Sequence, residues 1–89
     1  MNYTRIINTF NLNVQQVLAL TSQQSQILDF ISRFGSITPM DAFLELGITK
    51  LSTRISEMKK MGIQFEQNYE GRENMSGKKV HYMRYRKAA

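Results

Sequence analysis

Helix-start signals recur between Thr21 and Thr49, each followed within a few turns by a glycine, and this punctuation constrains the fold more than any other feature. Thr21 with Gln24 fits a capping box, in which the hydroxyl accepts from an orphan backbone N–H and the glutamine reaches back. Ile27, Leu28, Ile31 and Phe34 then form one apolar stripe, and Gly35 supplies the stop. Ser36-Ile37 reads as a short extended link, a candidate edge strand. Thr38-Pro39 is a second start: the threonine caps, and proline at the first helical position loses no bond the helix would have made. That helix runs through Met40, Ala42, Phe43 and Leu46 to Gly47. Ile48 leads to Thr49, a third N-cap candidate. Leu51, Ile55 and Met58 mark the buried stripe of a helix ending near Met61 and Gly62. Gly47-Ile48-Thr49 makes the tight corner on which a helix-turn-helix is built.

After Gly62 the period changes. Ile63, Phe65 and Tyr69 alternate with Gln64, Glu66 and Asn68, which predicts a half-buried strand. Residues 70–78 hold two glycines and read as a long hairpin loop. Val80 to Arg86 returns as a second strand, with Val80 and Tyr82 on one face and His81, Met83 and Tyr85 on the other. The expected fold is therefore α+β: a three-helix helix-turn-helix core with a C-terminal two-stranded β-hairpin wing, over residues 21–87. Residues 1–20 are rich in Asn and Gln, with helix-like apolar spacing from Phe10 through Val14, Val17 and Leu18. They can form a packed helix, a dimerisation arm or a loose tail.

Charge is distributed unevenly over this layout. Residues 1–48 carry two basic groups (Arg5, Arg33) against three acidic ones (Asp29, Asp41, Glu45). Residues 49–89 carry ten basic groups against four acidic ones, within a chain of net charge +5. Such a basic half suits a polyanion. At about 100° per residue, Leu51, Ile55 and Met58 set the inward direction of the third helix. Thr49, Thr53, Ser56 and Lys60 fall opposite, Ser52 and Lys59 on one flank, Lys50 and Arg54 on the other. Short hydroxyls with lysines suit phosphate contacts and modest base reading in a major groove. Arg54 lies nearer the apolar stripe, so it either pairs with Asp41 or Glu45 or reaches a phosphate. In the hairpin, Arg72, Lys78, Lys79 and Arg84 are the candidate backbone contacts.

Other chemistry has little support. The chain has no cysteine, hence no disulfide framework or thiolate site, which suits the cytoplasm. His81 is alone and lacks carboxylates at metal-ligand spacing, so no metal or other cofactor is expected. Asp29 and Asp41 sit in helical contexts as surface or capping groups, and neither a glycine-rich phosphate loop nor a nucleophile elbow is present. No catalytic residues, and no enzyme, are expected. No apolar run approaches the roughly 20 residues that span a bilayer, and Arg5 alone in residues 1–20 can meet lipid phosphates, so no membrane partner is expected. Tyr69, Tyr82 and Tyr85 can stack on unpaired bases, although strand tyrosines more often pack the core. The six methionines are expected to fill core gaps.

The run Ile27-Leu28-Asp29-Phe30-Ile31, then Gly35-Ser36-Ile37-Thr38-Pro39, Ala42, Leu46-Gly47-Ile48, Leu51, Arg54-Ile55 and Gly62, resembles the small helix-turn-helix domain of phage and prophage proteins. Val80 and Arg84-Tyr85 match its last strand, and the resemblance spans about residues 22–86. It implies a winged DNA-binding fold and a role in phage or mobile-element regulation, with Pro39 and Arg54 belonging to the motif itself. One spacing departs from the better-known helix-turn-helix pattern: Leu51 and Ile55 lie closer to the turn glycine. Double-stranded DNA is the leading expected partner. A host or phage protein docked on the same fold is the alternative, and homodimerisation through residues 1–20 stays open.

Overall fold

A computed structural model describes residues 3–89 as five helices and one hairpin. The elements are α1 (Thr4–Phe10), α2 (Val14–Ala19), α3 (Ser22–Phe34), α4 (Pro39–Leu46), α5 (Leu51–Lys60), β1 (Phe65–Glu73) and β2 (Lys79–Lys87). The helices followed by an antiparallel hairpin form an α+β winged helix, as the helix signals and the change of period predict.

Three starts are reciprocal capping boxes. Thr21 Oγ1 accepts from the Gln24 N–H at 3.2 Å while Gln24 Oε1 accepts from the Thr21 N–H at 3.0 Å. Thr38 and Asp41 make the same exchange at 3.2 and 3.0 Å, which gives Asp41 its capping role. Asn13 and Gln16 repeat it at the start of α2. Thr49 does not. The N-cap of α5 is Lys50, with no side-chain cap bond. The backbone explains the correction: Lys50 has ψ 58, whereas Asn13, Thr21 and Thr38 have ψ between 165 and 171. Only that extended geometry aims an N-cap oxygen at the first-turn N–H groups.

Helix α3 runs through the centre. Its Ile27, Leu28 and Ile31 meet Ala42 of α4, Leu51, Ile55 and Met58 of α5, and Ile48, Ile63 and Tyr85. Phe34 departs from the expected stripe. It is 64% exposed, its ring tilted against that of the half-buried Phe30 with 4.7 Å between centres. The methionines divide too: Met58 is core and Met61 and Met83 pack against it, but Met40 and Met75 are exposed. Ile37 makes an isolated one-residue bridge to the outer side of β2. It exchanges both backbone bonds with Tyr85 at 2.9 Å and so ties the hairpin to the helices.

The chain breaks helix at Asn11, whose φ of 55 lies in the left-handed region that asparagine tolerates. Residues 4–19 therefore form two short helices rather than one, and they dock. Ile6 and Leu12 enter the core, and the Phe10 ring lies 5.6 Å from that of Phe65.

The hairpin is longer and its loop shorter than the glycines suggest. Strand β1 continues to Glu73, and Asn74 closes a tight turn by accepting from the Ser76 and Lys78 N–H groups, both at 3.0 Å. The register Phe65↔Lys87 to Glu73↔Lys79 places Phe65, Tyr85 and Met83 on the face toward the core. Glu70, Tyr82, Arg84 and Arg86 share the opposite face.

Candidate nucleic-acid interface

The corner that sets α5 beside α4 depends on Gly47. Its φ of 67 lets its own N–H and that of Ile48 return to the last carbonyls of α4, at 3.1 Å to Phe43 and 2.9 Å to Ala42. Ile48 then drops into the core, and Leu51, Ile55 and Met58 anchor one side of α5. The other side faces solvent with Ser52, Thr53, Ser56, Lys59 and Lys60, preceded by the exposed Thr49 and Lys50. The C-terminal half of α5 is tied from behind. Gln24 of α3 donates to Glu57 at 3.1 Å, and Gln16 of α2 donates to the Met61 carbonyl at 3.1 Å, satisfying an acceptor the helix end leaves open. Helix α2 thus helps to hold the exposed helix in place, a contact that the apolar spacing of residues 1–20 does not announce.

The structure sorts the cations into two groups. Arg5 and Arg33 pair with Asp29, Arg54 with Glu57, and Arg84 and Arg86 with Glu70. Among the described residues, Lys50, Lys59, Lys60, Arg72, Lys78, Lys79 and Lys87 form no ion pair, and every one of them lies at α5 or on the hairpin. Arg54 meets neither Asp41 nor Glu45. Its Nε lies 3.4 Å from Glu57 Oε1, three residues along its own helix, as a charge contact without hydrogen-bond alignment. The i,i+3 spacing on one helix face outcompetes reach across the corner.

Arg84 stands apart from the other hairpin cations. Its Nε donates to both oxygens of Glu70 at 3.0 Å, and Nη1 donates to Ser36 Oγ at 2.8 Å. This network joins the base of the wing to the link before α4. The Arg84 guanidinium holds the Glu70 carboxyl below the usual carboxylate range; partial burial opposes this, and the Tyr82 hydroxyl and Arg86 add to the lowering. A depressed folded-state value means that the charged pair stabilises the wing above the ordinary carboxylate pKa and is lost as pH falls through the lowered value. Glu70→Gln is therefore expected to weaken amide protection in β1 and β2 at neutral pH. The difference from wild type should vanish under strong acid, as hydrogen exchange at the two pH values would show.

Other expected non-sites take structural places. Asp29 sits between Arg5 and Arg33, and Tyr85 is buried, with its hydroxyl pKa raised by that burial. Among the described residues no cluster of His, Asp and Glu could hold a metal, and no helix is long and apolar enough to cross a membrane.

A tight helical corner, a following exposed helix and a hairpin tied back by a one-residue bridge are the parts of one known domain type. Residues 22–86 match the family model described as a winged helix-turn-helix domain. The chain belongs to that family. In winged helix-turn-helix terms, α4 and α5 form the corner, α5 is the candidate recognition helix and β1–β2 is the wing. The family is a non-catalytic, DNA-binding one. No curated protein and no solved structure gives a match to the chain.

Proposed function

We propose that this winged helix-turn-helix protein binds double-stranded DNA through the outer face of α5 and the wing, as a small regulator or accessory factor of a phage or mobile element. The segregation of cations carries the reading: those without a carboxylate partner gather on α5 and the hairpin, while α4 carries none at all. Lys50, Lys59 and Lys60, with Arg72, Lys78 and Lys79, neutralise phosphates. Thr49, Ser52, Thr53 and Ser56 supply short polar contacts to backbone or base edges. Arg54 and Arg84 act inside the protein, the first on Glu57 and the second as the brace of the wing.

Phosphate neutralisation releases counterions, so affinity for a duplex should fall steeply with salt. With four to six lysine or arginine contacts engaged, a plot of log affinity against log salt is expected to slope at about −4 to −5. Fluorescence anisotropy with a labelled duplex measures it. Undetectable binding at low salt, or binding indifferent to salt, would remove the proposal.

A second reading rests on α4. Met40, Phe43 and Leu44 project outward there, all more than half exposed, beside Asp41 and Glu45. That face suits a protein partner, a host or phage enzyme, better than a phosphate. Capture of one defined protein that survives nuclease and high salt, and is lost with Phe43→Glu, would favour it.

A further inference from the structure

The three strand tyrosines have different surroundings. Tyr85 is core, and Tyr82 is half-buried beside Arg84, whose guanidinium carbon lies 6.0 Å from its ring centre. Tyr69 is 70% exposed and has a different neighbour: its ring lies parallel to that of His81, 9° between planes and 5.4 Å between centres. Gly71 makes this stack possible. A Cβ there would sit 2.8 Å from His81 Nδ1 and 2.9 Å from Cε1, too close for any side chain. Since Gly71 does not take a positive φ, its lack of a side chain, not backbone freedom, is what the position uses.

An exposed, preformed pair of rings serves no core. A stack of two leaves the outer face of Tyr69 open, and base–aromatic stacking is how proteins hold unpaired nucleotides without reading sequence. Lys79 shares that face of the wing and forms no ion pair, whereas Arg72 projects from the opposite face. We propose that the Tyr69–His81 pair is a stacking platform for an unpaired nucleobase, so that the protein prefers a duplex continued by a single strand over a blunt one. The duplex half of this preference rests on the proposed function; the stacking half does not.

The test compares a short blunt duplex, the same duplex with an oligothymidine tail, the same with an oligouridine tail, and each tail alone. The DNA tail is expected to raise affinity about 5- to 10-fold. A ribose tail that gives the same gain assigns the platform to bases of either nucleic acid; a gain from one tail only assigns it to that one. Tyr69→Ala should abolish the gain and leave blunt-duplex affinity unchanged, whereas Tyr69→Phe should keep it. Gly71→Ala should reduce it by displacing His81. A tail that adds nothing, or a gain that survives Tyr69→Ala, overturns the platform. Binding of the tail alone that disappears with Tyr69→Ala, with no binding of blunt duplex, would uphold the platform and sink the duplex reading.

Discussion

Replacing Lys59 and Lys60 together by alanine is expected to weaken duplex binding about 30-fold near 0.1 M salt, and to flatten the salt dependence by about two log–log units. Both side chains are exposed and lie in the last turn of α5. Their structural worth is limited to offsetting the negative end of the helix dipole, about 0.3–1 kcal/mol each. The melting temperature should therefore move little while affinity collapses. Arg33→Ala is the matched control, because Arg33 lies on α3 and sits 3.8 Å from Asp29. It removes a cation from the molecule but not from the proposed surface, and affinity should hold. Titrations of both variants at several salt concentrations separate local contact from net charge.

Ile31→Ala is expected to cost about 3 kcal/mol, a large share of the roughly 5–15 kcal/mol that holds a domain of this kind folded. Ile31 is 2% exposed on the core-facing stripe of α3 and packs within the central apolar cluster. Phe34→Ala, one turn further on the same expected stripe, should cost only about 1 kcal/mol. Its larger ring is mostly in water, and what it loses is chiefly the tilted ring contact with Phe30. Urea midpoints give both values, with an unchanged slope marking a cooperative transition.

That contrast shows which features the sequence makes legible. Thr21 and Thr38 announce their helices because a capping box involves residues three apart and little else. Thr49 has the same chemistry yet fails to cap, because the tight corner sets the backbone at Lys50 and takes the hydroxyl out of line. Phe34 follows the helical period, but the last turn of α3 buries Ile31 and leaves Phe34 64% exposed beside Phe30, so the period alone does not say where the stripe leaves the core. Gly71 looks like a loop signal and is instead a strand residue emptied for His81. The basic character of residues 49–89 is plain from composition. Which of those cations are already engaged is not, since Glu70 and Arg84 are brought together only by the hairpin register. Arg54 lies between the apolar stripe and the outer face, and the structure pairs it with Glu57 of its own helix rather than with Asp41 or Glu45.

The most direct measurement is an amide chemical-shift titration of the protein with duplex DNA at low salt. The largest changes are expected at Ser52, Thr53, Ser56, Lys59 and Lys60 and on the wing around Arg72, Lys78 and Lys79, with the outward face of α4 unmoved. Changes centred on Met40, Phe43 and Leu44, or none at any DNA concentration, would contradict DNA binding through α5 and the wing.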